Sequence, residues 1–203
     1  MQEDKIRNFW YCQYTWLHRR ALMYYIQDNR FLTEEERKEL LDRAMIHDMD
    51  KMTLYLFWNK QDASDYHRST AGHHLKGTWQ TDTSKYDILE SIFDMECAAL
   101  TKSDKPLNAY DTVMHFYPEL SDLFLPELKR LHMDSSYCAV TDDAVSYINR
   151  FTVTEKTILN EVAEYLAENP DNVYQKLKDR LCIEQEYEKL IQKYGEKVKA
   201  EGE

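Results

Sequence analysis

Apolar positions along this chain recur at spacings of three and four, the period of an α-helix with one buried face. Trp10, Tyr14, Leu17, Ala21 and Tyr24 draw such a face and predict a first helix from about Asp4 to Asp28. Thr33 followed by Glu36 is a capping-box pattern that opens a second run, with Leu40, Ala44, His47 and Lys51 on one face and helical character from Arg37 to Trp58. The pattern then breaks over residues 59–84 into a polar, histidine-rich stretch too long for an ordinary connector, which reads as partly helical and functional. Thr83 or Ser84 can cap a third long helix carrying Leu89, Phe93, Glu96 and Leu100, stopped at Asp104-Lys105-Pro106 because proline cannot continue the hydrogen-bond ladder.

Shorter helices follow from Pro106 to His115 and from Pro118 to Met133, the latter bent at Pro126, and residues 134–143 (DSSYCAVTDD) read as a loop. Thr154 to Glu168 and Asn169 to Tyr194 predict a terminal pair, the second opened by Asn169-Pro170, and the last residues fray. Four glycines and four prolines among 203 residues are few for a sheet-rich fold. An all-α chain is expected, organised as one helical domain over 1–203 with a core at about 5–102 and supporting C-terminal helices at about 106–195.

The formal charge of −11, with no tract rich in Lys and Arg, argues against a general nucleic-acid binder and leaves room for a local cationic pocket. Cys12, Cys97, Cys138 and Cys182 are widely separated, with no C-x-x-C pair, so neither a zinc ribbon nor a thioredoxin-type site is indicated, and the pattern argues against a disulfide framework. The N-terminus lacks the regions of a signal peptide, and no run reaches the roughly 18 apolar residues of a membrane span. The expectation is a cytoplasmic protein with no membrane partner.

Chemistry concentrates at His47-Asp48, with Lys51 three residues on. An imidazole and a carboxylate side by side can bind one divalent cation, whereas burying both without a partner is expensive. His18 on the first helix and Asp94 on the third complete an ordered set of two imidazoles and two carboxylates on different helices. Such a set suits an octahedral cation with open positions, Mn²⁺, Fe²⁺, Co²⁺ or similar. Taken singly, a buried histidine is more often a hydrogen-bonded core residue than a ligand. His115 and His132 fit no pattern and read as structural, and the tryptophans and tyrosines read as core packing, with Tyr66 and Trp79 the exceptions beside the site.

This order of residues resembles the HD-domain superfamily of metal-dependent phosphohydrolases, a helical fold defined by H, HD, D and often carrying a lysine three residues after the aspartate. The segment HDMDK at His47 to Lys51 has that lysine, and the resemblance covers roughly residues 10 to 100. The chain is also similar to a family of small bacterial and phage HD-x-x-K proteins, which implies no particular reaction. The resemblance implies an HD-like helical bundle with additional C-terminal helices. It also implies hydrolysis of a small phosphoester, with nucleotides or nucleotide-derived signals as the substrate class. In that chemistry the cation polarises a phosphoryl oxygen and lowers the pKa of its water toward about 7. Asp48 or Asp94 orients the water, and Lys51 meets the charge that builds on phosphate. Arg19, Arg68 and Lys76 flank the ligands and could hold the rest of an anionic substrate, although such charges are most often solvated.

His67, His73 and His74 repeat the order in which binuclear HD-GYP phosphodiesterases place extra histidines. That implies a second cation bridged by Asp48 and held by His67 with His73 or His74. The intervals here are shorter and HHLKGTW replaces the Gly-Tyr-Pro segment, so cyclic-di-GMP specificity does not follow. Two other functions fit the same residues. One is an HD-fold oxygenase with two irons. The other is a non-catalytic helical protein whose acidic surface and terminal helices serve a partner or a homodimer.

Overall fold

The computed structural model describes residue 6 and residues 8–74, 83–102 and 107–168. All regular structure among them is helical and none is strand, so the fold is all-α. No helix among the described residues is long and apolar enough to cross a membrane.

Helix α1 spans Phe9–Asp28 and α2 spans Glu34–Ile46. The start of α2 is fixed by the predicted capping box: Thr33 Oγ1 accepts from the Glu36 amide at 3.1 Å, and Glu36 Oε2 accepts from the Thr33 amide at 3.0 Å. The expected run to Trp58 is instead two helices. Asp48 adopts the left-handed conformation, φ 59° and ψ 11°, so α2 ends before His47 and α3 begins afresh at Met49–Phe57. Aspartate is one of the few residues that tolerates this conformation, and hydrophobic spacing carries no sign of it.

The polar stretch contains α4, Lys60–Thr70. Helix α5, Lys85–Thr101, opens on a second capping box in which Ser84 is the cap and Asp87 its reciprocal partner. Helix α6, Ala109–Phe116, is capped by Asn108. A 3-10 turn at Pro118–Leu120 leads into α7, Ser121–Arg130, which continues through Pro126. The loop expected to Asp143 ends two residues early, where Thr141 caps α8, Asp142–Asn149. Helix α9, Glu155–Glu168, follows Thr154, whose hydroxyl accepts from the Thr157 amide at 3.1 Å. The predicted helix from Asn169 to Tyr194, the fraying end and the stop at Asp104 to Pro106 lie outside the described residues.

The chain divides into two compact units. The first contains the described residues of Met1–Trp16, Asp48–Ser64 and Val153–Glu203. In it α3 packs on α9, Met52 and Leu54 are fully buried with Ile158 and Val162, and the Trp16 indole donates to Glu161 at 2.8 Å. The second contains Leu17–His47 and Asp65–Thr152. Its core joins Leu22 and Ile26 of α1, Leu40 of α2, Leu89, Ile92 and Phe93 of α5, Val113 of α6, and Phe124 and Leu128 of α7. Each such side chain stabilises the fold by about 1.5–3 kcal/mol on burial. That packing is what makes α1, α2 and α5 a rigid frame for the polar residues between them.

Candidate metal centre

Three segments of the second unit each bring one donor to a common point. His18 projects from α1, His47 follows the last turn of α2, and Asp94 lies in the middle of α5. One ligand atom from each lies within 4.8 Å of the others. His18 Nε2 is 2.7 Å from Asp94 Oδ1, and His47 Nε2 is 3.7 Å from the same oxygen. Both histidines are buried. Cations held by nitrogen and carboxylate ligands at about 2.0–2.2 Å have donors at such mutual separations, so the residues fit a divalent ion.

The far side of each imidazole is also engaged. His18 Nδ1 lies 3.2 Å from the Thr101 hydroxyl, and His47 Nδ1 is 2.8 Å from Glu90 Oε1. A metal-binding histidine characteristically uses its second nitrogen in this way, because the outer bond fixes both ring orientation and tautomer. Glu90 is held in turn by Arg43, whose Nη1 is 3.1 Å from Oε2, and His73 Nδ1 lies 3.4 Å from Oε1.

Hydrogen bonds and neighbouring charge hold two carboxyls of the site in the ionised form. Burial opposes charge on Glu90, but the hydrogen bond and charge of His47, the charge of His73 and the Arg43 hydrogen bond outweigh it and hold the carboxyl below its ordinary range. Asp94 is likewise opposed by burial and is held well below its ordinary range by His18 and His47.

The histidines of the polar stretch lie against this group within the same unit. The His47 and His73 ring centroids are 4.2 Å apart, His73 and His74 4.5 Å, His67 and His73 5.3 Å, and His67 and His74 4.7 Å. His47, His73 and Glu90 form a second set of donors close enough to share an ion. His73 is anchored from α5, where the Ser91 hydroxyl donates to its carbonyl.

Asp48 begins a segment of the first unit, is buried, and pairs with Lys51 at 2.5 Å. Arg19 is buried, and its guanidinium donates to the Met45 carbonyl, satisfying a carbonyl in the last turn of α2 just ahead of His47. Arg68 is exposed on α4. Lys76 and Trp79 lie outside the described residues. His132 has a left-handed backbone and stacks on Phe31 with centroids 4.1 Å apart, and His115 is exposed on α6.

The sequence reading missed Glu90, Thr101 and Arg43. A signal for the first two was present: Asp87, Glu90, Asp94, Cys97 and Thr101 repeat at three- and four-residue intervals and draw a polar stripe along α5 beside its apolar one. No protein-family model, curated protein or solved structure matches this chain.

Proposed function

We propose that the chain is a metal-dependent phosphohydrolase of the HD type, acting on a small phosphoester of the nucleotide or nucleotide-derived class. The observation that carries the reading is the convergence of His18 Nε2 and His47 Nε2 on Asp94 Oδ1, with the opposite nitrogen of each ring held by an outer partner. His18, His47 and Asp94 would hold the cation, and Asp48, which adjoins His47 in the chain, would share in that work. A Mn²⁺, Fe²⁺ or Co²⁺ ion in such a set supplies Lewis acidity toward a phosphoryl oxygen and an acidified water. Lys51, three residues beyond Asp48 and paired with it, offers an ammonium that can exchange its carboxylate partner for a phosphate oxygen. The substrate class rests on the resemblance of the H, HD, D order.

The contiguous rings of His18, His47, His67, His73 and His74 favour a second reading, in which two irons are held and the chemistry is oxygenation. Elemental analysis of protein purified without chelator, compared with His47→Ala, separates the possibilities. About one or two transition metals per chain, lost in the variant, with turnover of nucleotide phosphoesters, is the result expected. An iron pair with near-ultraviolet to visible absorption and no phosphoester turnover moves the reading to oxygen chemistry. No metal after anaerobic reconstitution leaves a helical binding protein.

A further inference from the structure

We propose that Arg20 and Arg150 form a separate anion site that takes a diphosphate group, free or carried by a nucleoside. All of its residues belong to the second unit, where side chains of α8 meet α1. Its basis is a pair of ladders at four-residue spacing, the interval that stacks side chains on one face of a helix. Arg20, Tyr24 and Asp28 make the ladder on α1, and Asp143, Tyr147 and Phe151 the one on α8 and just past its end. The two run in opposite directions. Tyr24 stands against Tyr147 with ring centroids 4.8 Å apart, and the Arg20 guanidinium carbon lies 5.8 Å from the Phe151 centroid. At the other end, burial first and then the charges of Asp28 and Asp143 raise the pKa of the Tyr24 hydroxyl against a Thr141 hydrogen bond, so both carboxylates adjoin that ring.

Arg150 joins the cationic end. Its guanidinium carbon lies 4.0 Å from the Tyr147 centroid and 5.5 Å from that of Phe151. Two guanidiniums therefore share the Phe151 ring, while two carboxylates share the opposite end of the stripe. Exchanging one residue of each kind would have made ion pairs; like charge beside like charge destabilises by itself. Packing accounts for one arginine over an aromatic face. It does not account for a second at the same ring, and a bound anion does. Among the described residues Arg150 makes no hydrogen bond or ion pair, and it is exposed. Stacking leaves the in-plane N–H donors of its fork open and fixes their orientation, so little further ordering is needed when a ligand arrives. Such a fork matches two phosphate oxygens, and a second phosphate reaching toward Arg20 relieves the repulsion between the two cations. Residues 18 and 20 diverge by roughly 200° around a helix, so the site lies across α1 from His18 and does not rest on the metal reading.

The test is calorimetric titration of full-length, metal-free protein at low salt with pyrophosphate, ADP and sulfate, in the wild type, Arg150→Met, Arg150→Lys and Lys51→Ala. One pyrophosphate per chain is expected, bound more tightly than sulfate and weakened by added salt. Arg150→Met keeps an aliphatic cover over Tyr147 and should lose about tenfold in affinity, while Arg150→Lys, which keeps the charge but not the fork, should fall between. Lys51→Ala should bind as the wild type does. ADP bound more tightly than pyrophosphate assigns the site to a nucleoside diphosphate, whose base can stack on the exposed guanidinium plane; ADP bound equally or less tightly assigns it to free polyphosphate.

No uptake of pyrophosphate by the wild type, uptake no tighter than that of sulfate, or unchanged affinity in Arg150→Met would overturn the proposal. Affinity lost in Lys51→Ala and kept in Arg150→Met overturns it too, by sending the anion to the candidate metal centre. A second measurement needs no variant to fold: in ¹⁵N-labelled wild-type protein the Nε–H resonances of Arg20 and Arg150 should shift together as pyrophosphate is added, and resonances that stay fixed contradict the site.

Discussion

Glu36 ties three helices of the second unit together, and its removal has a calculable cost. Its side chain is only 4 % exposed, and its oxygens accept from the Thr33 amide at 3.0 Å, from Arg130 at 3.1 and 3.2 Å, and from Lys85 at 2.5 Å. These partners belong to the N-terminus of α2, to α7 and to the first turn of α5. The part-buried bond from the Thr33 amide to this charged acceptor is worth about 1.5 kcal/mol. The two-pronged Arg130 contact, one-third exposed, adds about 1 kcal/mol, and the half-exposed Lys85 pair about 0.5 kcal/mol after solvent screening. Glu36→Ala should therefore lose about 3 kcal/mol, whereas Glu36→Gln, which keeps an acceptor for Thr33, should lose about half of that. At about 2–4 °C per kcal/mol for a chain of this length, the alanine variant melts about 6–12 °C lower. Urea unfolding followed by far-ultraviolet circular dichroism is the assay, since Trp10, Trp16 and Trp58 report on the other unit. An alanine variant within 1 kcal/mol of the wild type, or a glutamine variant as unstable as the alanine one, would refute the reasoning.

His47→Ala and Asp48→Ala should each lose bound metal while Lys51→Ala keeps it and loses turnover, and full metal in both ligand variants would remove the centre; acidification toward pH 5 should release the ion, because imidazoles must be neutral to coordinate, and a metal content independent of pH would count against them. Stability should fall in acid through Glu36 and Asp87: burial opposes their charge, but Lys85, Thr33 and Arg130 at Glu36, and Arg43 with Ser84 at Asp87, hold both carboxyls below their ordinary range. Their contribution is thus complete above about pH 4.5 and is lost as pH drops through the lowered values, so Glu36→Gln should show a shallower acid limb in a pH series of urea midpoints, and an unchanged slope would assign that limb to other groups. In a Cys182→Ser background, Ellman's reagent should label the exposed Cys138 at once and reach buried Cys97 and Cys12 only on unfolding, the Cys12 thiol being pushed up to about 12 by burial; more than one fast thiol per chain would contradict the packing.

Local signals account for what the sequence made legible. Both capping boxes were written in four-residue motifs, Thr33 to Glu36 and Ser84 to Asp87, and the apolar spacing of α1 and α5 needs no tertiary information. The turn at His47-Asp48 escaped because a single left-handed aspartate interrupts a helix without disturbing the hydrophobic pattern on either side. Helix α8 escaped because its eight residues follow a segment of turn formers, although Thr141 before Asp142-Asp143 was a readable cap.

The candidate centre divides along the same physical line. Which residues can donate to a cation is a property of residue type and order, so His18, His47 and Asp94 could be named from the chain alone. Which nitrogen of an imidazole is presented is decided by partners far away in sequence: Thr101 is 83 positions from His18, and Glu90 is 43 positions from His47. Arg43 and Arg19 belong to the same class. A basic residue beside a ligand reads as a solvated charge or a phosphate contact, and only tertiary structure turns one toward Glu90 and the other toward the Met45 carbonyl at the end of α2. Helix α5 unites the two levels. Its polar stripe carries Asp94 as a donor, Glu90 and Thr101 as orienters and, beside Glu90, Ser91 as the anchor of His73, so a one-residue insertion between Glu90 and Asp94 should disturb ligands and orienters together.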